Sequence, residues 1–262
     1  MQPDRTDHAA LPALAILLGL GATLLAFALV PAGAAAADRP AERPYLGWSS
    51  WSLAATTRPG YGKGWLTAAH VLEQSEAMAA RLGAHGYRRI NVDAGWRGGW
   101  DESGRPTPDA RRFPDGMRAV ADRVHARGQE FGIYYVPGID DDLLALNPPI
   151  LGTTYRIRDI VRRPGRPAHG WGGGHAIDFA HPGARPYIRS IADQFAAWGV
   201  DFLKFDGVTP GSDHRDLAID GRDDVAAWDE ALRRTGRPSG PTWAGAAGAS
   251  RRRRGRGTAR AG

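Results

Sequence analysis

The 262-residue chain contains no cysteine. That excludes a disulfide framework, a thiolate metal site and a cysteine nucleophile. It says little about compartment, because an exported protein of this length does not need disulfides. The sequence also lacks a G-x-S-x-G elbow and a Ser-His-Asp order, so a serine-hydrolase reading has no support. No glycine-rich phosphate fingerprint follows the first strand pattern, which counts against a dinucleotide domain. His169, His175 and His181 with Asp178 fit no compact ligand spacing, so no metal and no cofactor is expected.

The formal net charge of +6 is concentrated at one end. Arg251, Arg252, Arg253, Arg254, Arg256 and Arg260 carry six positive charges, and without them the chain is near neutral. No nucleic-acid motif accompanies this run, so no nucleic-acid partner is expected. Residues 239–262 read as a disordered basic tail.

What is plentiful is glycine, proline and tryptophan. The 35 Gly and 19 Pro imply many turns, and the nine Trp offer flat apolar faces suited to cores and to sugar rings. Residues 11–30 are almost wholly apolar and lead into the small residues 32–37. Residues 1–37 are therefore expected to be a signal peptide cleaved near Ala37, giving a secreted protein with no membrane association. The apolar run is also long enough to span a bilayer, which makes an uncleaved anchor the alternative. Residues 38–43 read as a linker.

From Tyr45 onward, short apolar strands alternate with helical patterns. Strands are expected at 45–48, 89–93, 131–136 and 200–206. Helices are expected at 67–82, 117–127, 186–198 and 223–234, the first capped by Thr67, with a long loop over 138–184. Repeated βα units imply a parallel sheet. An open doubly wound sheet would gather its chemistry at one switch point, whereas a barrel gathers it from many strand ends. Here Trp48, Trp51, Asp93, Trp96, Tyr134, Lys204 and Asp206 all fall at C-terminal strand ends. After Pro238 the sequence turns to Gly, Ala and Arg without a strand pattern. The expectation is an α/β fold of the (β/α)8 TIM-barrel type over 44–238 that stops after about four βα units.

A retaining glycosidase uses two carboxylates, one to attack the anomeric carbon and one to protonate the leaving oxygen. Lys204 and Asp206 lie two apart on a strand and point to the same side. The cation helps keep the carboxylate ionised. The pair is equally compatible with a structural ion pair. Asp93 with Trp96 would suit hydroxyl recognition and ring stacking, although a loop-capping Asp is the commoner case. Trp48 and Trp51 read alone as core aromatics, and one of Tyr134 and Tyr135 must face the barrel interior. His125, before a helix-stopping glycine, reads as a surface or packing residue.

Taken together, GWSSW (47–51), INVDAGW (90–96), FPDGM (113–117), HARG (125–128), FGIYY (131–135) and WGVDFLKFDG (198–207) occur in order. This set resembles glycoside hydrolase family 27, the α-galactosidase (melibiase) family, over residues 44–238. The resemblance implies a retaining (β/α)8 barrel acting on oligosaccharides or polysaccharides, with Asp206 as nucleophile. It gives Lys204, Trp51, Asp93 and Tyr134 sugar-contacting roles, and Trp96 is grouped with them as a substrate-binding candidate.

Three departures accompany it. Ala94 stands where the family often has a second Asp that reads a galactose hydroxyl. Cysteines usual near these motifs are absent at Gly95 and Val208. The acid/base Asp is expected on a later strand, beyond the last residue of this chain, and Asp213, Asp216 and Asp220 have no matching context. A β-L-arabinopyranosidase, another α-glycosidase and a non-catalytic carbohydrate-binding remnant are the alternatives to an α-galactosidase. On this reading the chain by itself lacks its general acid and exposes two open strand edges.

Overall fold

The computed structural model describes residues 45–169, 173–208 and 219–237. The expected signal peptide, linker and basic tail lie outside the described residues, as do Asp213 and Asp216.

Four strands form one parallel sheet in the order β1 (Gly47–Ser49), β2 (Arg89–Val92), β5 (Glu130–Tyr135) and β6 (Phe202–Phe205). The sheet order follows the chain order, and each adjacent pair is parallel: Trp48 opposes Ile90, Ile90 opposes Phe131 and Ile133 opposes Leu203. Helices α2 (Ala68–Leu82), α3 (Gly116–His125), α5 (Ala184–Ala197) and α6 (Arg222–Arg234) follow the four strands in turn. The described residues therefore build four βα units of a (β/α)8-type barrel.

The period-2 alternation of strands divides this sheet into two chemically different faces. Ile90, Val92, Phe131, Ile133, Leu203 and Phe205 are buried in the main apolar core. Tyr135 and Phe205 both meet Trp228 of α6, and Tyr135 also meets Phe195 of α5. The intervening positions carry Asn91, Gly132, Tyr134, Phe202 and Lys204. Gly132 is required at its place: a Cβ there would lie 2.1 Å from the Phe202 ring. Phe202 in turn takes an edge-to-face contact from Tyr45 at 5.5 Å.

The helices follow from their sequences. Thr67 caps α2 by accepting from His70 N at 3.2 Å, and Val71, Ser75 and Met78 bury one helical face. Ser75 Oγ donates to Gln129 Oε1 at 2.5 Å, which ties α2 to the entry of β5. At the lower end of β6, Asp201 accepts from Phe131 N and from Arg237, and its Oδ2 lies 2.6 Å from His125 Nε2. His125 thus has the packing role expected of it.

Some elements differ from expectation. The first strand starts two residues later, at Gly47. The loop after β2 contains an antiparallel hairpin, β3 (Arg97–Trp100) with β4 (Pro106–Pro108). The long loop over 138–184 contains α4 (Asp141–Leu146) and isolated bridges that pair Ile139 and Pro167 with His175. Glycine and proline punctuation conceals these short elements, because each is fixed by tertiary pairing rather than by a hydrophobic period. A four-residue helix, α1 (Trp51–Ala54), follows β1 directly.

Candidate active site

The site forms where β1, β2, β5 and β6 end. Asp93, just past β2, is 1% exposed and is held by donors on every side. Its Oδ2 accepts from Ser49 Oγ at 2.9 Å, Asn91 Nδ2 at 2.9 Å and Lys204 Nζ at 2.8 Å. Its Oδ1 accepts from Ala94 N at 2.9 Å, and its own N–H donates to Ser50 Oγ at 2.8 Å. Each of these partners donates to the carboxylate, which holds it at a fixed place.

Lys204 links the strand ends. Its ammonium reaches Asp93 at 2.8 Å, stands 3.8 Å from Asp206 Oδ2 and lies 5.0 Å from the centroid of the Tyr134 ring. Tyr134 is the member of its pair that faces this cluster, while Tyr135 faces the helices. Burial, reinforced by the Asp206 and Asp93 charges, pushes the Tyr134 phenol well above its ordinary range, so it remains a donor.

Asp206 extends the ladder by one residue, with its N–H donating to Tyr135 O at 3.0 Å. Gly207 then turns the chain at φ 72°, in the left-handed region that glycine adopts without strain. The Gly207 N–H occupies Asp206 Oδ1 at 2.8 Å. Among the described residues Oδ2, beside the Lys204 cation, takes no hydrogen bond, on a side chain 30% exposed. An ionised oxygen with an open approach and a neighbouring cation can act as a nucleophile.

Trp51 stands at the mouth as the first residue of α1 and is 51% exposed. With Tyr45, Ser49, Asn91, Phe202 and Lys204 it lines a pocket of about 330 Å³. Trp51 and Lys204 share this pocket, and Asp93, Asp206 and Tyr134 lie around the Lys204 ammonium.

Trp96 is placed elsewhere. It is 2% exposed, packs against Phe195 and Trp198, and spends its single N–H on Tyr134 O at 2.8 Å. The stacking role expected of it needs an open ring face, and this ring is enclosed. It steadies the strand that carries Tyr134. The supports of Asp93, namely Ser49, Ser50 and Asn91, were not singled out from sequence. The period-2 relation of Asn91 to Asp93 was the signal that could have found the last of them. The histidines weighed as metal ligands serve the loop instead: His175 Nε2 lies 2.8 Å from Asp141 Oδ1, and His181 Nδ1 accepts from Gly183 N at 3.1 Å. Asp220 likewise engages Arg222, its near neighbour.

Residues 63–141 match the family model described as alpha galactosidase A. The chain is similar to α-galactosidases over part of its length. It is 34% identical over 160 residues to alpha-galactosidase 3 of Hypocrea jecorina, covering 58% of this chain and 24% of that protein. It is 28% identical over 224 residues to alpha-galactosidase A of Cellvibrio japonicus, covering 85% of this chain and 43% of that protein. Among solved structures, the family 27 β-L-arabinopyranosidase of Geobacillus stearothermophilus matches with a TM-score of 0.67 at 29% identity, over 77% of this chain and 48% of that one. The chain spans less than half the length of each of these proteins.

Proposed function

We propose that this chain carries the nucleophile side of a retaining glycoside hydrolase acting on terminal α-galactosides of oligosaccharides or polysaccharides. The open Asp206 Oδ2 beside Lys204 is the observation that carries this reading. In the first step Asp206 Oδ2 forms a bond to the anomeric carbon as the glycosidic C–O bond breaks, and the leaving oxygen takes a proton from a general acid. In the second step water attacks the same carbon, gives up a proton and releases Asp206. Lys204 donates to sugar hydroxyls, the exposed Trp51 face stacks on the ring, and the enclosed Asp93 orients Lys204.

A 2-fluorogalactosyl reagent with a dinitrophenolate leaving group tests this, because that group departs without protonation. Mass spectrometry should find the label on Asp206 and none in Asp206→Asn. Label on Asp93 or Asp201 would overturn the assignment.

A specific observation also favours a second reading. Ala94 lacks the carboxylate that the family often places there, and a β-L-arabinopyranosidase is among the similar structures. Turnover of nitrophenyl β-L-arabinopyranoside above that of the α-galactoside would favour it.

Export through cleavage near Ala37 is part of the same proposal. Protein from culture medium should begin near Asp38, and an intact Met1 in the membrane fraction would favour the anchor.

A further inference from the structure

A second pocket, of about 200 Å³, has Ala94, Arg97, Trp100, Tyr134, Gly138 and Asp140 among its lining residues. It shares no lining residue with the Trp51 pocket. It adjoins the site at two points. One is Tyr134, over whose ring Lys204 lies, and the other is Ala94, the residue after Asp93.

Its polar wall is an ion pair between Arg97 and Asp140, with the guanidinium stacked 4.0 Å over the Trp100 ring. Among the described residues Arg97 Nη1 and Trp100 Nε1 have no hydrogen-bond partner, and both atoms are enclosed. An ion pair beside an aromatic plate is chemistry suited to hydroxyl groups on an apolar carbon frame. The pocket is preformed. Gly138 has φ 95°, and a Cβ there would lie 2.1 Å from Ala168 Cβ. The Ile139–His175 bridge pins the same loop with hydrogen bonds of 2.9 and 2.7 Å.

Direction follows from the order of polar groups. They run from Asp206 through Lys204, 3.8 Å away, to Asp93, a further 2.8 Å on. A pyranose with C1 at Asp206 directs its opposite end, C4 and the C5 substituent, toward Asp93 and Ala94. With only a methyl group at Ala94, that substituent can reach the second pocket.

We propose that the Arg97–Asp140 pocket receives the exocyclic hydroxymethyl group of a hexopyranose, and so replaces the carboxylate missing at Ala94 in selecting galactose over a pentopyranose. This rests on the glycosidase reading of the Asp206 site. D-Galactose and L-arabinose test it, because as pyranoses they differ only in that hydroxymethyl group. Calorimetric titration of the folded chain should show galactose binding about tenfold more tightly, the scale of one matched hydrogen bond to a charged group. Asp140→Ala should abolish the preference without changing arabinose affinity. Arg97→Met should do the same, and a melting curve on each variant confirms that it is folded. Equal affinities in the wild type, tighter arabinose binding, or a preference that survives in both folded variants would overturn the proposal and leave the glycosidase reading standing. Binding of neither sugar to the folded wild type would remove both.

Discussion

Lys204 gives its close contact to Asp93, at 2.8 Å, while Asp206 remains 3.8 Å from the same ammonium. The buried carboxylate is thereby enclosed by donors, and among the described residues Asp206 Oδ2 takes no hydrogen bond. The two acids differ by environment: every partner of the Asp93 carboxylate is a donor, whereas among the described residues the Asp206 carboxylate has one hydrogen-bond donor. The consequence for stability is asymmetric.

Asp93→Asn should cost about 1–3 kcal/mol, because an amide nitrogen would face donors with nothing to accept from it. Lys204→Met should cost a similar amount by leaving a buried carboxylate without its cation. Asp206→Asn, at the half-exposed position, should cost much less. Denaturant unfolding of the three variants checks this ranking, and an Asp206→Asn loss equal to the other two would contradict it.

Gly132 and Phe202 form a coupled pair. Gly132→Ala should destabilise by about 1–3 kcal/mol, the usual cost of overpacking, because the new methyl group enters the Phe202 ring. In a Phe202→Ala background the same change should cost much less. A double-mutant cycle reads the difference directly, and additive losses would mean that the ring moves aside freely.

Asp224, in the first turn of α6, is buried, and its Oδ1 has no hydrogen-bond partner among the described residues. Burial, together with the neighbouring Asp223 charge, pushes its carboxyl up to about 7. The unfolded chain titrates this group near its ordinary value, so between about pH 4 and pH 7 the folded state holds the extra proton. Stability from this group is therefore greatest at low pH, falls as pH rises through that window and is level above it. Asp224→Asn should remove the dependence. Its melting temperature relative to wild type should rise across the window and then stay constant, and a constant offset from pH 4 to 8 would show that the acid is not held neutral.

Much of this molecule was legible in its residues. The four βα units could be read because long apolar faces repeat, as in Val71, Ser75 and Met78 of α2, and because short runs such as Phe131 to Tyr135 end in polar groups. Lys204 and Asp206 were legible because a two-residue step on a strand fixes the face they share. Trp96 was misplaced for a physical reason. It lies past the end of β2, where alternation no longer determines direction, and its ring could turn either to the mouth or to α5. The Arg97–Asp140 pair joins two loops 43 residues apart, and no local pattern foretells such a meeting.

The alternation of the central strands has a consequence for how such a protein changes over generations. On β5 and β6, side chains that pack in the core and side chains of the Lys204 cluster occupy interleaved positions on opposite faces. A replacement at Tyr134 or Lys204 alters what the opening can grip, while Ile133, Leu203 and Phe205 go on anchoring α5 and α6. Selectivity can thus drift along one set of positions while the scaffold is inherited through the other. Gly132 is the point where the two sets are least independent, since the Phe202 ring rests directly on the backbone there.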